Sequence, residues 1–172
     1  MASWHDQIIW SAPHSIAQLT QHRGARSVIP TARGFYAFVS GCHPPSPERS
    51  LYLGIAVGQR GLRQRLGSYL RTVVTEHKAE AMKHKGKRLV SFARIRGIGG
   101  TGKGTRNSTR NDKFIHVCWA EAPFEFGGKT ATGNEREWAF LLERALIDYY
   151  RPVFNTADWD GDWDFDMEDD AF

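Results

Sequence analysis

The sequence predicts a small α/β domain of the α+β kind: a central three-stranded antiparallel sheet flanked by helices, with a basic insertion. Three observations predict it. Short aromatic and β-branched runs recur at residues 34–40, 51–57 and 114–120, and such side chains fit a pleated, half-buried surface. Apolar residues at helical spacing fill 61–73 and 134–150. A chain of 172 residues with 41% apolar content is enough for one domain with a modest core.

Each element follows in order. Residues 1–33 read as an N-terminal extension, with one short helix near 15–21 and a loop ending at Pro30. The first strand is Gly34 to Ser40. The run Gly41-Cys42-His43-Pro44-Pro45-Ser46-Pro47 must be a loop, since prolines cannot donate to a ladder. Residues 51–57 form the second strand, and one short loop between two strands implies an antiparallel pair. The helix at 61–73 places Leu62, Leu66, Tyr69, Leu70 and Val73 on its apolar face. Residues 76–113 form the basic insertion, with a strand expected at 89–96 and a flexible glycine-rich stretch from Gly97 to Gly104. The third strand alternates around His116 and Cys118. The last helix sets Trp138, Leu141, Leu142, Ala145, Leu146 and Tyr149 on one broad face, and Pro152 stops it. The domain therefore spans 34–157, and residues 158–172 form an acidic, flexible tail.

Charge is segregated along the chain. The tail carries eight acids (Asp158, Asp160, Asp162, Asp164, Asp166, Glu168, Asp169 and Asp170) and no base. The rest has 23 Lys/Arg against 11 Asp/Glu, a net of +12. A body that basic suits a polyanion, and double-stranded DNA is the expected partner. The insertion supplies much of the charge, with Lys83, Lys85, Lys87, Arg88, Arg94, Arg96, Lys103, Arg106 and Arg110 as DNA-contacting candidates. No run approaches the length of a membrane span. The N-terminus lacks a signal-peptide layout, and two cysteines do not make a disulfide framework, so the cytoplasm is the expected compartment.

One acid, one arginine and three tyrosines form the candidate site. Tyr36 shares a strand face with Phe38, and Tyr52 shares one with Gly54 and Ala56. In a suitable register both phenols point to one side, with space left by the small residues. Arg65 and Tyr69 are four apart on a helix and so are neighbours. Glu143 comes from the last helix. Phosphodiester cleavage needs an activated water and neutralisation of growing negative charge. A single carboxylate suits Mg2+, which keeps most of its waters. Arginine forks onto phosphate oxygens, and a phenol beside it can serve as base or water-orienting group.

In order and spacing these residues resemble the GIY-YIG nuclease superfamily. Its two name-giving motifs match Gly34-Phe35-Tyr36 and Tyr52-Leu53-Gly54, and its arginine-then-tyrosine helix motif matches Arg65 and Tyr69. Its metal-binding glutamate matches Glu143, and its asparagine twelve residues later matches Asn155. The resemblance covers about 34–73 and 114–155. It implies Tyr36 as the water-activating group, Arg65 as phosphate stabiliser and Glu143 as the Mg2+ ligand, with Mn2+ able to substitute. Tyr52, Tyr69 and Asn155 would support the site or contact phosphate. Repair members carry a lysine directly after the second motif, where this chain has Ile55; that departure and the long basic insertion point to the restriction-type members. The expectation is a metal-dependent DNA endonuclease of restriction or defence type. A binding module of the same fold without efficient catalysis is the rival, and double-strand cutting by one site would call for a homodimer or sequential nicking.

Other motifs compete less well. Gly97 to Gly104 comes close to a phosphate-binding loop, but the required Ser/Thr position is Gly104. Cys42-His43 and His116-Val117-Cys118 hold four candidate zinc ligands but lie on or beside strands. The tail alternates acids with large apolar groups, which leaves three readings open: a solvated tail, a DNA mimic on the chain's own basic groove, or a dock for a partner protein.

Overall fold

The computed structural model describes residues 5, 8–21, 27–74, 89, 115–122 and 133–156. Eight elements follow in chain order: β1 (His14–Ser15), α1 (Ile16–Gln21), β2 (Gly34–Ser40), β3 (Ser50–Ala56), α2 (Gly61–Val74), β4 (Ile115–Glu121), α3 (Gly133–Tyr150) and α4 (Val153–Thr156). The strands form one antiparallel sheet in the order β1-β4-β2-β3.

Among the described residues the sheet has four strands, which corrects the expected three. The fourth, β1, pairs His14 with Val117 and Ser15 with His116. Two residues carry no readable alternation, which is why the sequence pattern shows no strand there. The same segment starts α1 with a capping box: Gln18 N–H donates to Ser15 Oγ at 3.2 Å, and Ser15 N–H donates to Gln18 Oε1 at 2.9 Å. Residues from the N-terminal extension are thus built into the sheet and core.

The sheet has two unlike faces. On one, Tyr36 and Phe38 of β2, Tyr52 and Ala56 of β3, and Ile115, Val117 and Trp119 of β4 meet α1 and α2 through Leu19, Leu62, Leu66 and Tyr69. Leu89, from the insertion, is buried in this cluster and is helical. On the other face, Phe35, Leu53 and Ile55 pack against Ala139, Leu146, Ile147 and Tyr150 of α3.

That packing corrects the expected apolar face of the last helix. Trp138, Leu141 and Tyr149 are exposed, and the buried stripe runs through Ala139, Leu146, Ile147 and Tyr150. The helix bears two apolar stripes, and spacing alone does not say which of them meets the sheet. The loop between β2 and β3 closes tightly: Ser40 N–H donates to Arg49 C=O at 2.8 Å and Ser50 Oγ–H to Ser46 C=O at 2.8 Å.

The remaining insertion, including the rest of the strand expected at 89–96, lies outside the described residues, as does the tail. No helix among the described residues is long and apolar enough to cross a membrane.

Candidate active site

Strand register builds the centre of the site. Tyr36 lies opposite Gly54 on one side and Trp119 on the other, while Phe38 lies opposite Tyr52. Tyr36 and Tyr52 consequently rise on one face, with ring centroids 6.3 Å apart. Gly54 is required there because a Cβ would overlap the Tyr36 hydroxyl. A glycine facing a tyrosine across the pair lets the phenol lie down over the neighbouring strand.

The helix α2 brings the other two groups. Its start is fixed by Gly61, which has φ +49° and whose Cβ would overlap the Ala32 carbonyl. Leu62 N–H then donates to that carbonyl at 2.9 Å. The next residue, Arg63, spends its Nε on the Ile29 carbonyl at 2.7 Å, which leaves Arg65 as the arginine on the site face. Tyr69 follows on the same face, 5.7 Å from the Tyr36 ring and 5.9 Å from that of Tyr52.

These side chains form one polar chain inside an aromatic cluster. The Tyr36 hydroxyl donates to the Tyr69 hydroxyl at 3.4 Å and accepts from Arg65 Nε at 3.3 Å. Both bonds are long, with the oxygens placed but not tightly closed on one another. The Arg65 guanidinium carbon lies 5.9 Å from the Tyr69 ring centre, within cation–π range. Phe38 completes the ring set, 5.3 Å from Tyr69. Burial pushes the Tyr52 phenol far above its ordinary range, with the charges of Tyr36 and Glu143 adding to the rise. Tyr69 is pushed up in the same way, first by burial and then by Tyr36 and Tyr52. Arg65 goes upward, chiefly through Tyr36, against the opposing effect of burial.

Glu143 approaches from α3, on the other side of the sheet. It is half-buried, and its charge reaches the Tyr52 phenol. The turn after α3 holds it there. Arg151, at φ 44°, caps the helix with its N–H on the Ile147 carbonyl at 2.8 Å, and Pro152 sends the chain back into α4. Asn155 then accepts from Leu53 N–H at 2.8 Å and donates to Leu53 C=O at 2.8 Å. Among the described strands β3 lies at the edge of the sheet, and these Leu53 groups face away from β2.

Tyr36, Arg65 and Tyr69 are therefore hydrogen-bonded, Tyr52 packs beside them, and Glu143 is coupled to them electrostatically. Asn155 stands apart: it is buried, and both its amide atoms serve the Leu53 backbone. The DNA-contacting candidates of the insertion, Lys83, Lys85, Lys87, Arg88, Arg94, Arg96, Lys103, Arg106 and Arg110, lie outside the described residues. Trp119 was missed as a neighbour of the site. It pairs with Tyr36 and stacks on His14 at 4.8 Å, and its signal was its place on the alternating face of Ile115 and Val117.

Among the described residues no group of three or more His, Cys, Asp or Glu gathers to hold a metal ion. A single half-buried carboxylate still fits Mg2+, whose remaining ligands are waters and substrate oxygens. Cys118 is buried and Cys42 is exposed on its loop. The chain matches no family model, no curated protein and no solved structure.

Proposed function

We propose that the chain is a metal-dependent DNA endonuclease that hydrolyses phosphodiester bonds, of restriction or defence type and acting in the cytoplasm. The observation that carries the reading is the hydrogen-bonded set Arg65–Tyr36–Tyr69 with the Glu143 charge at its border. On this reading water attacks phosphorus in line and Tyr36 orients it or takes its proton. Arg65 counters the negative charge that grows on the phosphate oxygens. Tyr69 and Tyr52, both held protonated, keep the Tyr36 ring and hydroxyl in place. Mg2+ held by Glu143, or Mn2+ in its place, would supply Lewis-acid neutralisation of the phosphate charge. The net charge of +12 outside the tail supplies the attraction for double-stranded DNA.

One observation favours a second reading. Tyr36 and Tyr69 are each only 1% exposed, so a scissile phosphate has access chiefly past the half-buried Arg65 and Glu143. A site closed to that degree also suits a DNA-binding module with little or no catalysis. Incubation of varied duplex DNA with Mg2+ and the intact protein, beside Glu143→Ala and Tyr36→Phe, separates the two. Cleavage by the intact protein alone is expected. No cleavage by any of the three, with equal salt-dependent binding, would establish the binding module instead.

A further inference from the structure

Between Tyr150 and Phe154 the chain changes sides of the sheet. Tyr150 packs in the cluster of Phe35, Leu53 and Ile55, whereas Phe154 packs against the cluster of Tyr36, Tyr52 and Tyr69. The turn at Arg151 and Pro152 carries the chain round β3, and Asn155 pins it there through both backbone groups of Leu53. Thr156 therefore lies at the site side of the strand that carries Tyr52. In the sequence that follows, residues 158, 160, 162, 164, 166 and 168 are all acids, with Trp159, Trp163 and Phe165 between them. Extended chain would set these acids in a row about 6.7 Å apart, with the rings on the opposite side. A single nucleic-acid strand has the same makeup, a line of single negative charges backed by flat rings.

The site face has the opposite sign. From residue 7 to residue 75 the sequence holds eight arginines and one acid, Glu48. Glu48 lies in the loop between β2 and β3, at the far end of the hairpin from Gly34 and Ala56. The helix over the site, α2, holds Arg63, Arg65 and Arg71 and no acid, and exposed Arg60 stands just before it. Glu143 opposes this field from its border. The reach is short. The Tyr36 hydroxyl lies over Gly54, the neighbour of Leu53, and Arg65 Nε is 3.3 Å from that hydroxyl. Five extended residues span about 17 Å, so a chain tethered at Asn155 can bring Asp158 and Asp160 alongside α2. A tether of this length gives an effective concentration on the order of millimolar.

We infer that residues 158–164 lie along the site face of their own chain in place of a DNA strand, and that DNA must displace them to enter. The inference rests on the reading of this face as one that binds DNA, and not on cleavage. Non-specific electrostatic contacts at their weakest have dissociation constants of about 0.1 mM, so a tail held at millimolar concentration weakens DNA binding about tenfold.

The test compares three full-length chains that all keep the tail. One is unchanged. The proximal variant carries Asp158→Asn, Asp160→Asn, Asp162→Asn and Asp164→Asn; the distal variant carries Asp166→Asn, Glu168→Gln, Asp169→Asn and Asp170→Asn. Each variant loses four negative charges, so the two have equal net charge. Two quantities are read: Kd for duplex DNA at low salt without divalent metal, and the heteronuclear NOE of the 15N-labelled indoles, with the buried Trp119 as reference. In the unchanged chain Trp159 and Trp163 should be ordered like Trp119 and should loosen when duplex DNA is added. The proximal variant should loosen both without DNA and bind DNA about tenfold tighter, against no more than about twofold for the distal variant. Equal tightening in the two variants would overturn the inference in favour of net charge alone. Trp159 and Trp163 at unfolded-chain values in the unchanged protein would show an undocked tail. Order that survives saturating DNA would put the tail elsewhere, and order lost on dilution would assign it to a second copy. Cleavage with Mg2+ is scored separately: a proximal variant that loosens, binds tighter and still cuts nothing supports the inference while it overturns the endonuclease reading.

Discussion

The side-chain amide of Asn155 occupies the place of a neighbouring strand beside Leu53, meeting its N–H and its C=O at 2.8 Å each. An edge strand otherwise leaves such groups to water or to another chain. The clasp also closes the turn that returns from α3, and so fixes the helix that carries Glu143. Asn155→Ala removes both partners at a buried position and should cost about 2–3 kcal/mol in urea unfolding. Asn155→Asp should cost about as much, because it sets a carboxylate oxygen against the Leu53 carbonyl. A loss below about 0.5 kcal/mol for either would mean that water replaces the clasp.

Alkaline pH should weaken the fold through the two buried phenols. Tyr52 and Tyr69 are both raised above the ordinary 10.0, first by burial. Above that value the unfolded chain gives up two protons that the folded chain keeps, so stability is complete below pH 10 and declines above it. The slope should approach about 2.7 kcal/mol per pH unit from this pair. Urea midpoints measured from neutral to strongly alkaline pH check it, and Tyr52→Phe should remove about half of the slope. An unchanged slope in that variant would show that Tyr52 ionises normally in the fold.

How far the sequence carries the fold depends on element length. Runs such as Gly34–Ser40 and Ser50–Ala56 are long enough to show alternation, and they are strands. β1 has two residues and shows none. Trp138, Leu141 and Tyr149 pass for core because they repeat at helical spacing as well as Ala139, Leu146 and Tyr150 do. Only the partner surface distinguishes the two stripes. For the candidate site, the side-by-side placement of Tyr36 and Tyr52 follows from alternation once the register is known. Asn155 could not be read that way, since its partner is the backbone of a residue 102 positions away. Any residue type at 53 except proline would present the same two groups.

The thiols should behave as two separate populations. Cys118 lies opposite Ala37 in the middle of the sheet, and burial pushes it from 9.0 up to about 12. Cys42 is exposed in the loop after β2. A thiol-disulfide reagent at mildly alkaline pH should therefore modify one cysteine per chain promptly and the second only on unfolding. Two promptly reacting thiols would show that β4 opens from β2 under native conditions.

The fit of Tyr36 over Gly54 can be tested by filling the space between them. In Gly54→Ala the new methyl overlaps both the hydroxyl and the adjoining ring carbon of Tyr36, so the ring must move. Displacing a packed aromatic costs about 1–3 kcal/mol. It also draws the hydroxyl away from Arg65 and Tyr69, so any Tyr36-dependent DNA cleavage should fall along with stability. Tyr36→Phe keeps the ring carbon in the way and should relieve little of the cost. Tyr36→Ala removes the obstacle, so Gly54→Ala should be nearly neutral in that background. Unfolding the four members of the cycle should therefore give a coupling of at least about 1 kcal/mol. Simple additivity would mean that the methyl is accommodated by the strand and that Gly54 answers to some other constraint.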